Sequence, residues 1–244
     1  MREQAERELR KTAEELQIRN EELNAFARTV AHDLKSPVAQ MIGFAELLRE
    51  ASPDMLANKK DEWINNIVRI GEKSAETIQA LLDLARYENE EAQFHSFDMW
   101  FTFEAVVFKL HNNKSENKQS IKFPREWPQV VGNPNWMSEV WYSLIGNAIQ
   151  SGGEPLKVEV SWQQWLDNKV KFSIENNGRK LSFAEQEAFF QLSGATTLKR
   201  DISLNLGISI AKKLIEKQGG EIGVESTNNI GSTVWFTLPA AIPS

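Results

Sequence analysis

The stretch Phe26-Ala-Arg-Thr-Val-Ala-His32-Asp33-Leu34-Lys35-Ser36-Pro37 contains the first of only three histidines in this 244-residue chain. A lone histidine in a helix is more often a surface residue or a satisfied core polar group. Its neighbours weigh against that here. An acid follows His32 directly, and the hydroxyl residue Ser36 lies four places on, on the same face of a helix. Pro37 falls inside a run that otherwise avoids proline. A proline in mid-helix costs about 3 kcal/mol through a lost hydrogen bond and a ring clash, which predicts bending or strain just after His32. A neutral imidazole nitrogen can attack an electrophile in line when an acceptor holds the proton on its other nitrogen. Ser36 is about as readily a surface residue or backbone cap. His95 and His111 stand in no such pattern and read as structural or surface.

The elements that must position His32 are long helices. Leu9, Leu16, Leu23 and Val30 recur every seven residues, with Ala13, Ala27 and Leu34 four places after three of them. So sparse a stripe, flanked by charge, needs a coiled-coil partner to bury it. The helix continues through Met41, Ile42, Phe44, Ala45, Leu47 and Leu48. Ser52-Pro53-Asp54 reads as a break and restart, with Ser as cap and Pro in the first turn. A second helix is expected from about Lys59 to Glu88, with Trp63, Ile67, Ile70, Ile78, Leu81, Leu82 and Ala85 on its apolar side. Two antiparallel helices are half a bundle, and pairing with a second copy buries both stripes.

Composition changes near residues 90–97. Eleven of the 13 glycines and seven of the eight tryptophans follow residue 93, while the net charge of −6 resides entirely in residues 1–92, with 13 basic and 19 acidic side chains. Trp136–Ile149 has helical periodicity. Lys157–Trp162 and Lys169–Ile174 alternate as strands. Ile208–Lys217 is helical and ends at Gly219-Gly220, and Glu221–Glu225 and Ser232–Leu238 read as closing strands. The expected fold class is α+β: a dimeric helical hairpin forming a four-helix bundle, followed by a mixed half of helices and strands, which the resemblance described next makes an α/β sandwich. The expected division is a linker helix over 1–23, a helical domain over 24–92 and a mixed domain over 93–244. The absence of cysteine excludes disulfide frameworks, Cys-ligated zinc and thiol catalysis. The acidic balance argues against nucleic acid as a partner. No apolar run approaches the ~20 residues of a membrane span, so a soluble, cytoplasmic chain is expected.

The His32 segment resembles the phosphoacceptor box of the sensor histidine kinases of two-component signalling: His, an acid, Leu, a basic residue, a small hydroxyl residue and Pro, with Phe six places before the His. Asn20-Glu21-Glu22-Leu23 and Leu81-Leu82-Asp83-Leu84-Ala85-Arg86 resemble the same family's dimerisation and phosphotransfer domain. Later stretches resemble its gyrase-type ATP-binding sandwich: Val131–Ala148 the Asn-box helix, Ile174-Glu175-Asn176-Asn177-Gly178 the first glycine box, Leu206–Ala211 with Gly219-Gly220 the second box and its helix, and Gly231–Pro239 the closing strand. The resemblance implies that His32 is the phosphoacceptor, that Asp33 orients it, and that Ser36 is placed for a phosphatase role. It implies ATP and Mg²⁺ as cofactors, with Asn147 as the Mg²⁺ ligand and Asn176, Gly178, Gly207 and Thr233 at the nucleotide. Phe189-Phe190 would head an ATP lid over 191–205 carrying Lys199 and Arg200. The implied partners are a second copy, a response-regulator receiver domain and an upstream sensory input domain.

Several positions depart from that pattern. The adenine-reading Asp falls on Asn176, whose amide is a neutral acceptor beside a donor that could also meet a ring carbonyl. Lys180, Ser203 and Asn205 replace glycines, of which Asn205 best tolerates positive φ. Ser143 and Gln150 replace the first Asn and the trailing Lys of the Asn box. Three readings therefore stand: a kinase that autophosphorylates His32 from ATP; a pseudokinase or phosphotransfer protein whose ATP domain binds nucleotide weakly or not at all; and a coiled-coil scaffold in which His32 is unused.

Overall fold

The computed structural model describes residues 9–10, 17, 31, 34–90, 93–112, 120–191, 202–226 and 231–241. His32, Asp33, the stripe of residues 13–30, and Lys199 and Arg200 lie outside them. The chain forms two compact units, Met1–Ile78 and Gln79–Ser244.

In the first unit, helix α1 spans 34–50 and continues through Pro37. Helix α2, Pro53–Asn89, restarts where expected: the Ser52 hydroxyl accepts from the Met55 amide at 3.4 Å, and Pro53 occupies the first helical position. It starts about six residues earlier than the apolar pattern suggests, with Met55 of its first turn 53% exposed rather than on a buried stripe. Its length carries two adjacent seams of 3.5-residue period. Trp63, Ile67, Ile70, Ser74, Thr77 and Leu81 are buried or half-buried within the chain. Ile64 (38% exposed), Val68 (52%), Ala75, Ile78 (47%) and Leu82 (59%) form the second seam, and it faces out. Across it, Gly71 would bring a Cβ to 3.7 Å from Met41 Sδ on α1.

The last turns of α2 belong to the second unit. Ala80 packs on its core, and buried Tyr87 meets Trp136 edge-on at 6.0 Å. The unit continues with β1 (His95–Asp98), α3 (Met99–Asn112), β2 (Ser120–Lys122), β3 (Gln129–Gly132), α4 (Pro134–Ser151), β4 (Lys157–Trp165), β5 (Lys169–Asn176), α5 (Phe183–Glu187), α6 (Ile202–Lys217), β6 (Ile222–Glu225) and β7 (Ser232–Pro239). Five strands form one sheet in the order β2-β4-β5-β7-β6, parallel between β2 and β4 and antiparallel elsewhere, and β1 pairs with β3 in a separate ribbon. Helices α3, α4 and α6 pack together against one face, which makes a two-layer α/β sandwich. Trp141 of α4 is the centre of the core, with Phe103, Phe172 and Phe236 rings at 5.3, 5.7 and 5.1 Å.

The cap of α4 is set by Asn133, whose side-chain oxygen accepts from the Asn135 and Trp136 amides, with Pro134 following. Helix α6 ends as its sequence predicted: Gly219 adopts φ +74°, and the Gly220 amide reaches back to the Ile215 carbonyl. After β5 the chain enters α5 through a reciprocal cap. Glu185 receives the Ser182 amide at 2.8 Å, and the Ser182 hydroxyl receives the Glu185 amide. Arg179 donates to the same carboxylate, and chiefly that bond, then the Ser182 amide, holds the Glu185 pKa down at about 2.

A depressed carboxylate contributes stability above its unfolded value and loses it as pH falls through its folded value. For Glu185 that window runs from about 4.5 down to about 2. In urea unfolding, Glu185→Gln is expected to be less stable than wild type at pH 7, and the difference should shrink as pH falls across that window. A difference independent of pH would contradict the ionised cap.

Candidate functional site

The predicted nucleotide residues converge on the C-terminal half of α4. Ser143, Asn147 and Ser151 stand four residues apart on one face, and Asn147 is only 1% exposed. The Ser151 hydroxyl donates to Asn147 Oδ1 at 3.4 Å. Gly207 of α6 lies against Ser143, where a Cβ would stand 2.9 Å from the serine oxygen. Gly178 lies against the end of α4, and a Cβ there would overlap the Ser151 carbonyl oxygen.

Strand β5 delivers Asn176 to this place by its pleat. Val170, Phe172, Ile174 and Asn176 point successively to the helix-covered face, so the amide is the last member of a buried apolar series. It is 2% exposed and fully engaged at both ends of its amide. Oδ1 accepts from the Gly178 amide at 2.9 Å, and Nδ2 donates to Ser232 Oγ at 3.0 Å. Ser232 is its cross-strand partner on β7. Gly231, at φ +75°, leads into that strand with its own amide on the Gly178 carbonyl at 2.7 Å, and a Cβ there would overlap the Asn176 carbonyl.

Asn147, Asn176, Gly178 and Gly207 thus come together. Thr233 does not join them. It pairs with Glu175 and Glu225 on the other face of the sheet, and its neighbour Ser232 supplies the hydroxyl beside Asn176. Two hydroxyl residues in succession hide this in the sequence, because only the phase of the pleat separates them. Asn177, to which the sequence assigns no role, has a structural one. Its Oδ1 accepts from the Gly153 and Lys157 amides at 3.1 and 2.9 Å, and its Nδ2 donates to the Pro155 carbonyl at 2.7 Å. It ties the loop after α4 to the end of β5.

The replaced glycines are accommodated without strain. Among the described residues, only Asp167 and Asn168 combine a side chain with positive φ, in the β4–β5 turn. Lys180 is exposed, and Ser203 and Asn205 lie in the first turn of α6, so the left-handed tolerance of Asn205 is not used. The last four residues of the expected lid, 202–205, are helical. Phe189 is wholly buried in the core and packs edge-on to Phe190 at 4.9 Å, so it anchors the segment rather than lying open. On α1, Ser36 is exposed and its hydroxyl accepts from the Gln40 amide at 3.3 Å. His95 is at the surface at the start of β1.

The described cluster is uncharged. It can shape a pocket and offer single oxygen ligands, and among the described residues no group of three or more acidic, His or Cys side chains could hold a metal by itself. Asn147 fits a cation held mainly by another ligand: its oxygen is neutral and hard and has one protein partner.

Residues 22–90 match the model of the His Kinase A (phospho-acceptor) domain, and residues 132–242 match that of the histidine kinase-, DNA gyrase B- and HSP90-like ATPases. The chain belongs to the sensor histidine kinases. It is 27% identical over its whole length to the sensor histidine kinase AruS of Pseudomonas aeruginosa, and 26% identical over 96% of its length to the signal transduction histidine-protein kinase BarA of Escherichia coli. It spans only 26% and 28% of the lengths of those two proteins. The histidine kinase ThkA, solved in complex with the response regulator TrrA, superposes with TM-score 0.68 at 23% identity over 88% of this chain and 61% of that one. The Acinetobacter baumannii histidine kinase AdeS superposes at 0.62, with 17% identity over 86% of this chain and 98% of its own. Both share the fold of this kinase core. No described helix is long and apolar enough to cross a membrane.

The role of Gly178 is testable beside Gly146, which has nothing within 4 Å of a Cβ and sits next to Asn147 in α4. Gly178→Ala is expected to destabilise the second unit by about 1–3 kcal/mol, whereas Gly146→Ala should be neutral or stabilise it by up to about 1 kcal/mol. Denaturation midpoints of the two variants decide it.

Proposed function

We propose that this kinase core takes the γ-phosphoryl group of ATP onto His32 and passes it to the receiver-domain aspartate of a response regulator. The observation that carries the reading is the joining of Asn147, Gly178, Gly207 and Asn176 around one end of α4, in a chain that also holds the complete box from His32 to Pro37. An imidazole nitrogen of His32 forms the new N–P bond as the bond to the β–γ bridging oxygen breaks and ADP leaves. Asp33 accepts the proton on the other ring nitrogen and favours the developing positive charge. Ser36, exposed on α1, orients a water that hydrolyses the phosphoryl group in dephosphorylation, a reaction separate from the transfer. Asn147 would hold a Mg²⁺ ion, whose charge would offset that of the phosphates. Asn176 meets the base, Gly178 and Gly207 line the nucleotide, and Ser232 takes the place first given to Thr233.

The domain division proposed is 1–23 for the linker helix, 24–92 for dimerisation and phosphotransfer, and 93–244 for ATP binding. The exposed seam of α2 from Ile64 to Leu82 supports a homodimer, since a 3.5-residue stripe left open in one chain is the seam of a bundle. A sensory input domain acts upstream, and the core works in the cytoplasm. The amide at Asn176 favours a second reading, in which nucleotide binding is weakened and His32 receives its phosphoryl group from another phosphoprotein.

Incubation with γ-labelled ATP and Mg²⁺ is expected to leave acid-labile label on the wild type and none on His32→Ala. A folded wild type that takes no label from ATP, but does take it from a phosphorylated receiver domain, would establish the second reading instead. Light scattering at micromolar concentration should give twice the 27.8 kDa chain mass, and Ile78→Glu in the open seam should shift it to the monomer.

A further inference from the structure

We infer that Ser151 sets the orientation of the Asn147 amide, and through it the affinity of the site for the divalent cation of a metal–nucleotide complex. The inference rests on the proposed reading of Asn147 as the Mg²⁺ ligand, and it makes Ser151 a positioning residue rather than a ligand.

An amide side chain has two ends of nearly equal size and opposite chemistry. Its oxygen can ligate a hard cation, whereas its NH₂ group only donates protons. A buried asparagine that serves as a ligand therefore needs something to decide which end lies where. At 1% exposure, Asn147 has almost no water to do so. Among the described residues, its side chain makes one hydrogen bond, accepted at Oδ1 from the Ser151 hydroxyl at 3.4 Å. Ser143, one turn earlier on the same face, lies against Gly207 instead. The Asn176 amide is engaged by Gly178 and Ser232.

Ser151 departs from the habit of other helical hydroxyls in this chain. Ser74, Thr77 and Ser138 each donate to the main-chain carbonyl four residues back, at 2.8, 2.9 and 3.1 Å. Ser151 donates to the side-chain oxygen four residues back. Its own backbone is held from the other side, because a Cβ on Gly178 would overlap its carbonyl oxygen. The hydroxyl thus acts from a fixed point at the end of α4. A separation of 3.4 Å is long for a hydroxyl donor, so this bond orients the amide more than it stabilises the fold. It takes one of the two lone pairs on Oδ1 and leaves the other for a cation. Without a hydroxyl at 151, nothing in the cluster distinguishes the two ends of the amide. Removing the hydrogen-bond partner of a metal ligand commonly costs about 10–100-fold in metal affinity.

Isothermal titration of the whole chain with ADP, once in excess Mg²⁺ and once in EDTA, tests this. Ser151→Ala is expected to bind ADP about tenfold more weakly than wild type in Mg²⁺, and equally well in EDTA. Ser151→Thr keeps the hydroxyl and should restore the wild-type values. Ser151→Val has the same shape without the hydroxyl and should behave as Ser151→Ala. That pair decides the matter if the alanine variant does not fold, as judged by circular dichroism. An equal loss in both conditions would assign Ser151 to the fold alone and overturn the inference, as would no loss in either. Asn147→Ala separates the inference from the reading beneath it. If Asn147→Ala weakens binding in Mg²⁺ alone while Ser151→Ala does not, the inference fails and the proposed function stands. If Asn147→Ala leaves binding in Mg²⁺ unchanged, or the wild type binds no ADP, both fail.

Discussion

At the end of β5 three backbone segments approach so closely that two of them have no room for a side chain. Gly178 faces the last carbonyl of α4 at Ser151, and Gly231 faces the carbonyl of Asn176. The Gly231 amide closes the gap by bonding to the Gly178 carbonyl. This approach sets how deep α4 sits over the sheet, because the helix cannot lift at its C-terminal end without opening the contact. Asn177 secures the same corner from outside by holding the loop that leaves α4. With its end seated, α4 places Trp141 among Phe103, Phe172 and Phe236, and Asn147 and Ser143 then fall on the flank turned toward Gly207 and Gly178. Packing at one end of the helix thus determines the geometry of the site at its side.

Helix α2 solves a different problem with the same periodicity. A straight helix has room for two neighbouring seams of 3.5-residue spacing, and α2 uses both. The seam through Trp63, Ile70 and Thr77 is satisfied within the chain. The seam through Ile64, Val68, Ile78 and Leu82 is not, although its residues are no less apolar. Two more turns on, the helix gives up both patterns and contributes Tyr87 to an unrelated core, edge-on to Trp136. A single element therefore carries three kinds of burial along its length, and a sequence pattern averaged over it would blur all three.

What the sequence made legible follows the length of each pattern. The helices α2, α4 and α6 and the strands β4, β5 and β7 carry enough periods to declare themselves, and Asn133-Pro134, Ser52-Pro53 and Gly219-Gly220 mark their ends with specific cap chemistry. Strands β1, β2 and β3 have only three or four residues each, too few for an alternation to register. Helix α3 escaped for another reason: Phe101 and Phe108 are 69% exposed while Met99, Phe103 and Val106 are buried, so it is apolar on both faces and shows little period. At the site, Asn147, Gly178 and Gly207 came from the resemblance of their segments to the family's boxes. The choice of Ser232 over Thr233 depends on the phase of a pleat, and the clamp made by Asn177 depends on a loop 20 residues away. Neither is written in a local pattern.

The charge of the site points to how labour is divided across the domain. Ser143, Asn147, Ser151, Asn176 and Ser232 are all neutral, and four of them are nearly or fully buried. A carboxylate at 176 would be desolvated there, with only the Gly178 amide and the Ser232 hydroxyl to compensate it, whereas the amide keeps the turn at no electrostatic cost. Neutrality makes this corner stable with no ligand in place, in keeping with the common trade between stability and function. It also means that these residues can orient a nucleotide but cannot balance the charge of a triphosphate. On the proposed reading, that balance comes from groups outside this cluster. Positioning therefore belongs to the rigid corner built on Gly178 and Gly231, and charge compensation to groups outside it.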